Sequence, residues 1–231
     1  AYTRNRARKY PKEARDPDLD YQLMRARVVT ELSETPNLAV ARFRGELDGT
    51  PYSREAATYG LVLALTASGR ADEAGVELDS IWSTSPDRLE YIIADADIDM
   101  ARNKPDQAAK KLARRLAVSP GNHPLTMSYA RALMKNQQPH IAAEVLVKQS
   151  KRWPDDPSLW YLLAEVQGLS GNIAELHQSR AEYFILKGSL GDAKKQLTYA
   201  LKLTQGNYLA SAKIHQRLAD VATMQERMEE F

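Results

Sequence analysis

The chain has 231 residues, and its 32 lysines and arginines are balanced by 30 aspartates and glutamates, which leaves a formal net charge of +2. This balance argues against the broad positive field that nucleic-acid binding requires, and the absence of cysteine excludes disulfides and thiolate chemistry. No run of apolar residues approaches the roughly 18 that a membrane-spanning helix needs, so the sequence predicts no membrane span.

Residues 1–18 form a basic segment interrupted by Pro11 and Pro17. The first 15 of them carry six lysines and arginines against Glu13 alone, a net charge of +5. We interpret this segment as a solvated connector that follows a missing upstream domain, and we expect the chain to be a piece of a longer protein. A basic arm that binds nucleic acid or anionic lipid is the alternative.

Four prolines recur at nearly constant spacing: Pro51, Pro86, Pro120 and Pro154, at intervals of 35, 34 and 34 residues. Such a period holds two helices of about 13 residues and two turns. When each proline is counted as position 32, position 20 is always alanine and position 24 is phenylalanine or leucine: Ala39, Ala74, Ala108 and Ala142, then Phe43, Leu78, Leu112 and Leu146. This pattern resembles the tetratricopeptide repeat (TPR), in which small residues let two helices cross closely. An ordinary helical bundle that falls into phase by chance is the alternative.

Helices are predicted in chain order from apolar periodicity and from helix-start signals. In the first, 20–33, apolar residues recur at three- and four-residue steps: Tyr21, Met24, Val28 and Leu32. Asp87 and Glu90 resemble a capping box before helix 88–102. Further helices are predicted over 38–47, 53–68, 71–84, 158–170, 173–187 and 207–230, with others starting near Pro105, Pro124 and Pro139. Residues 19–231 are therefore predicted to form an all-α TPR solenoid of about twelve antiparallel helices, with a concave groove and a C-terminal capping helix.

No catalytic or metal-binding motif is present in the sequence. The four histidines, His123, His140, His177 and His215, form no HExxH motif and no i, i+4 pair that would bind zinc on one helical face. The aspartates at 95, 97 and 99 lie two residues apart on a predicted helix, so they point in different directions and cannot converge on one cation. We therefore expect this chain to have no catalytic activity and to bind no cofactor.

The first helix of each TPR lines the concave wall, mainly through positions 2, 5, 9, 12 and 13 of the repeat. In this chain the predicted groove residues are Tyr59, Leu63, Glu90, Ile93, Asp97, Met100, Met127, Arg131, Met134, Tyr161 and Glu165. Apolar and aromatic side chains within a charged rim suit a protein or peptide partner. The alternative is that the tyrosines and methionines only fill the stack. No lysine is found at position 5, so a clamp for a C-terminal carboxylate is not predicted.

Several stretches resemble one enzyme family. They are residues 5–8 (NRAR), 19–27 (LDYQLMRAR), 174–183 (AELHQSRAEY), 188–193 (GSLGDA) and 196–203 (QLTYALKL). These stretches are similar to the connector and the C-terminal TPR region that follow the catalytic domain of periplasmic M48-type zinc metalloproteases. No zinc ligand of that family has a counterpart here, so zinc is expected only in the missing protease domain.

The resemblance implies a periplasmic, non-catalytic interaction module linked to a protease. It also implies the partners: subunits of the outer-membrane β-barrel assembly machinery and unfolded outer-membrane protein clients. The alternative is a free-standing TPR scaffold of the kind found in secretion or pilus systems, with no enzyme attached. An HExxH motif upstream of this chain would favour the first hypothesis, and its absence the second.

Overall fold

A computed structural model describes residues 18–48 and 53–229 of the protein. Apart from Asp18, the predicted connector 1–18 lies outside these residues, as does Pro51. The described residues form twelve α-helices and no strand. The helices are α1 (Leu19–Leu32), α2 (Pro36–Glu46), α3 (Arg54–Ala67), α4 (Ala71–Trp82), α5 (Leu89–Ala101), α6 (Pro105–Val118), α7 (His123–Lys135), α8 (Pro139–Ser150), α9 (Pro157–Leu169), α10 (Ile173–Leu186), α11 (Leu190–Leu203) and α12 (Tyr208–Glu229). The predicted all-α repeat fold is confirmed.

The helices belong to two compact units, one ending at Arg102 and the other starting at Asn103. In each unit every helix packs against the next, and in the first unit α3 also packs against α1 and α5. Short turns join the helices, so the units are built from helical hairpins as the period predicts.

The alanines at position 20 and the larger apolar residues at position 24 are all buried, as the close crossing of two helices requires. In the first unit, Ala39, Phe43, Ala74 and Leu78 belong to one core together with Tyr59 and Tyr91. In the second unit, Ala108, Leu112, Ala142 and Leu146 have no exposed surface at all. The register derived from the prolines is therefore the register of the packing.

Helix starts follow the sequence in most places. The Asn122 side chain accepts a hydrogen bond from the Leu125 N–H at 3.1 Å, and Asp156 accepts one from the Ser158 N–H at 2.8 Å. The predicted capping box at Asp87 is wrong: α5 begins at Leu89, with Arg88 at the cap position and no side-chain cap. Arg88 instead forms an ion pair with Asp20 of α1.

The last helix closes the second unit as predicted. Ile214 and Val221 of α12 are buried in a core with Leu197 and Ala200 of α11. By contrast, Tyr208 at the start of α12 is almost fully exposed. Leu218 and Met224 of the same helix pack against this core as well, so the cap is formed by an apolar face further along α12.

Candidate functional site

The predicted groove residues of the first unit lie on α3 and α5, and two of them are buried. Tyr59 has no exposed surface and Ile93 is only 6% exposed, so their predicted position on an accessible wall is corrected. Leu63, Glu90, Asp97 and Met100 are partly exposed. In this unit, the charged residues of the predicted groove are therefore partly accessible to solvent, and its aromatic residue Tyr59 is not.

Tyr59 is buried because it pairs with a residue of α1. The Arg27 Nη2 group donates a hydrogen bond to the Tyr59 hydroxyl at 2.8 Å, and the Tyr59 and Tyr91 rings lie 5.8 Å apart. The carboxylates of Glu31 and Asp97 are close enough to Arg27 to interact with its charge. Burial raises the pKa of Tyr59, and the opposing effect of Arg27 does not cancel this rise. The phenol therefore stays neutral at physiological pH.

A second buried hydroxyl, Tyr91, was not singled out from the sequence. Its hydroxyl donates to Glu55 Oε1 at 2.5 Å, and the Thr84 hydroxyl donates to the same oxygen at 3.0 Å. Burial raises the pKa of Tyr91 far above its ordinary value, and the hydrogen bond to the Glu55 carboxylate raises it further. No periodicity reveals this network, because its three members come from α3, α5 and the segment after α4.

An exposed apolar stripe runs along α1. It consists of Tyr21, Met24, Val28 and Leu32, which are between 43% and 80% exposed. The buried side of α1 is formed instead by Gln22, Leu23 and Ala26, and Gln22 Oε1 accepts a hydrogen bond from the Ser53 N–H at 2.5 Å. The periodic apolar face of this helix is therefore an outer surface of the first unit, and it lies at repeat positions 2, 5, 9 and 13.

In the second unit, the predicted residues lie on α7 and α9. Met127 is only 6% exposed, so its predicted accessibility is corrected as well. Arg131 and Glu165 are exposed, Met134 is partly exposed, and Tyr161 is 60% exposed. At position 5, Tyr161 is thus exposed, as Met24 is in the first repeat, whereas Tyr59, Ile93 and Met127 are buried.

A cavity of about 330 Å³ opens beside Tyr161, between α9 and α10. Its lining residues are Tyr161, Ala164, Glu165, Gly168, Leu169, Leu176 and Arg180. The Tyr161 ring lies 5.6 Å from that of Tyr183, which supports it from α10. A Cβ atom at position 168 would lie 2.7 Å from Leu176 Cδ1, so glycine allows α10 to approach α9 at this point.

The cavity combines apolar walls with one charge of each sign. Leu169 is 60% exposed at its edge, and the side chains of Glu165 and Arg180 are both exposed. Such a cavity can accept an apolar or aromatic side chain while the two charges contact polar groups next to it. Tyr161 and Glu165 were predicted from the sequence. Leu176 and Arg180 were missed because α10 belongs to a half-shifted repeat, and Leu169 was not predicted although it lies at position 13 of the repeat that α9 opens.

Within residues 18–48 and 53–229, no group of three or more His, Cys, Asp or Glu side chains is placed to hold a metal ion. Among the helices that the structure describes, none is both long and apolar enough to cross a bilayer.

Comparison with known proteins agrees with the repeat fold. The family model for the tetratricopeptide repeat matches residues 99–166. The chain is 27% identical to the beta-barrel assembly-enhancing protease of Escherichia coli, in an alignment that covers all of this chain and 47% of that protein. This chain is homologous to the TPR part of that protease. It is also 29% identical to the putative beta-barrel assembly-enhancing protease of Vibrio cholerae, over 97% of the chain and 47% of that protein.

The chain spans about half the length of the curated beta-barrel assembly-enhancing proteases that it matches. Among solved structures, PilF of Pseudomonas aeruginosa is similar with a TM-score of 0.54 at 14% identity, over 95% of this chain and 100% of PilF. A TPR protein from Thermus thermophilus is similar with a TM-score of 0.52 at 18% identity, over 89% of this chain and 99% of that one. At these identities the likeness shows the fold alone. The resemblance to the TPR region of the proteases, stated from the sequence, is confirmed.

Proposed function

We propose that this chain is the partner-binding module of a periplasmic M48-type zinc metalloprotease. In this proposal it recruits subunits of the outer-membrane β-barrel assembly machinery, or unfolded outer-membrane protein clients, for assembly or degradation. Homology over the whole chain to beta-barrel assembly-enhancing proteases supports it. The zinc ion and the proteolytic chemistry belong to the protease domain of the longer protein, and this chain itself uses no cofactor.

The observation that carries the proposal is the cavity beside Tyr161. Strands of outer-membrane barrels alternate apolar and polar side chains along the chain. When such a strand is still extended and unfolded, every second side chain points to one side. One of these apolar side chains fills the cavity against Tyr161 and Leu169, and Glu165 and Arg180 contact polar neighbours.

The α1 stripe of the first unit gives a second reason to expect apolar partners. Its four side chains form one continuous face of a helix about 16 Å long from Tyr21 to Leu32. Large exposed apolar side chains on one helix face are typical of interaction surfaces. The proposal assigns this stripe to contacts with the same class of partner.

The alternative hypothesis, a free-standing scaffold of the secretion or pilus type, has less support. The likeness to PilF is one of fold, at 14% identity. Homology that covers half of a protease and all of this chain favours the protease-linked module.

The proposal is tested by measuring the affinity of the purified chain for two purified partners. One is a barrel-assembly subunit, and the other is an outer-membrane β-barrel protein diluted from urea. Tyr161→Ala removes the aromatic wall of the cavity, so we expect binding of at least one partner to weaken about tenfold.

Tyr199→Ala is the matched control. Tyr199 is 48% exposed on α11 and contacts one aromatic neighbour, His177, as Tyr161 contacts Tyr183. We expect this variant to bind as the wild-type chain does. Equal affinities of the wild-type chain and Tyr161→Ala for both partners would contradict the proposed site.

A further inference from the structure

A second, larger cavity lies in the second unit, away from every predicted groove residue. It encloses about 480 Å³ between the C-terminal parts of α6 and α8, with α7 behind it. Leu116 of α6, Tyr129 of α7 and Val145 of α8 are part of its wall. The volume falls in the range of roughly 300 to 1,000 Å³ that is typical of small-molecule sites. Neither the TPR pattern nor the proposed function accounts for it.

Three cations line the same cavity: Lys148, Lys151 and Arg152. In the part of the chain that the structure describes, none of the three has a carboxylate within ion-pair distance. Positive charge at the C-terminal end of α8 is favoured by the helix dipole. The dipole does not explain why three cations lie together along one side of a largely apolar cavity.

Arg152 lies beside the turn between α6 and α7. Its guanidinium lies against Gly121, where a Cβ atom would be 1.6 Å from Arg152 Nη1. The backbone N–H of Arg152 donates to the Gln149 carbonyl at 2.9 Å, and the Gln149 side chain donates to the Gly121 carbonyl at 3.3 Å. These bonds fix the backbone at the start of the Arg152 side chain beside the α6–α7 turn, so the guanidinium lies at the rim of the cavity.

An apolar cavity with cations along one side is complementary to a molecule that has an anionic head and an apolar tail. Arginine and lysine bind carboxylate and phosphate oxygens through charge-assisted hydrogen bonds. Leu116, Val145 and the Tyr129 ring offer a surface for hydrocarbon. A free inorganic anion would use only the cationic half of this arrangement, and an uncharged hydrocarbon only the other half.

We propose that this cavity binds an amphiphilic anion, with its carboxylate or phosphate head at Lys148, Lys151 and Arg152 and one hydrocarbon chain along Leu116 and Val145. The shared chemistry can come from a free fatty acid or from an anionic phospholipid. The site is independent of the partner-binding cavity beside Tyr161.

The probe is sodium decanoate, titrated into the full chain below its micelle concentration and followed by calorimetry. The double variant Lys148→Gln, Arg152→Gln is expected to bind decanoate at least about tenfold more weakly, because two charge-assisted contacts are lost. Its matched control is Lys194→Gln, Lys202→Gln, which removes two exposed lysines of α11, one of them also in the last turn of its helix. The control is expected to keep wild-type affinity.

Three further measurements separate the possible outcomes. Val145→Trp keeps all charges but fills the cavity, and it is expected to abolish decanoate binding. Phosphatidylglycerol vesicles, tested in parallel, identify a lipid as a second source if they bind the wild-type chain and not the double variant. Equal decanoate binding by the wild-type chain and the double variant, or inorganic phosphate binding as tightly as decanoate, would overturn the proposal.

Discussion

Arg27 of the first repeat forms a hydrogen bond with a tyrosine of the second repeat, Tyr59. Position 8 is alanine from the third repeat on and Val62 in the second. The first repeat has an arginine there, and its partly buried charge needs a polar acceptor. The Tyr59 hydroxyl provides that acceptor at 2.8 Å, and Tyr59 is fully buried although its position in the repeat is typical of a groove residue. A single-sequence pattern predicts the position but not this pairing, because the two residues are 32 positions apart.

Tyr91 makes the stability of the fold decrease at alkaline pH. Its pKa is raised above the ordinary value of 10.0, chiefly by burial and then by the hydrogen bond to Glu55. Above about pH 10 the unfolded chain therefore releases this proton and the folded chain keeps it, so the contribution to stability is complete below pH 10 and is lost as the pH rises.

We expect Tyr91→Phe to lose less stability than the wild-type chain between about pH 9 and pH 11, with a difference of up to about 1 kcal/mol. Urea unfolding at a series of pH values measures it, and the two chains should show parallel stabilities below about pH 9. Parallel stabilities up to pH 11 would show that the Tyr91 phenol is not held neutral by the fold.

At the scale of the helix, the small residues of position 20 decide how closely neighbours cross. Ala108 of α6 and Ala142 of α8 have no exposed surface. A leucine at either position has no room, since well-packed interiors do not accommodate extra methylene groups without strain.

We therefore expect Ala108→Leu and Ala142→Leu each to lower the free energy of unfolding by roughly 1 to 3 kcal/mol, measured by urea denaturation. The control is Ala117→Leu on α6, where the alanine is exposed, and this change should have little effect. A cost as large for Ala117→Leu as for Ala108→Leu would mean that the register of α6 is wrong.

The burial of the position-5 side chain differs between repeats, and the repeat pattern does not predict this difference. This side chain is buried in the second, third and fourth repeats, at Tyr59, Ile93 and Met127, and exposed at Met24 in the first and Tyr161 in the fifth. The repeat pattern gives all five the same expected environment. At Tyr161 the neighbour is Tyr183 of α10, a helix that closes one repeat and opens the next.

At the scale of the whole chain, the sequence was sufficient for the helices, the register and the homology to a protease TPR region. Alanine spacing and helix-start residues agree because each is required by the same hairpin. The two cavities could not be predicted, since each depends on distant side chains and on a glycine that allows close approach: Gly168 beside Leu176, and Gly121 beneath Arg152. The location of the domain between residues 19 and 231 stays a prediction.

The central claim, that the surface at Tyr161 receives a polypeptide partner, is tested most directly by photo-crosslinking. A photoreactive phenylalanine analogue is placed at position 161 or 169, and at position 199 as the control, and the purified chain is illuminated with a barrel-assembly subunit or an unfolded outer-membrane protein. Our account predicts crosslinks to at least one partner from positions 161 and 169 and none from 199. No crosslink from 161, or as many from 199 as from 161, would contradict it.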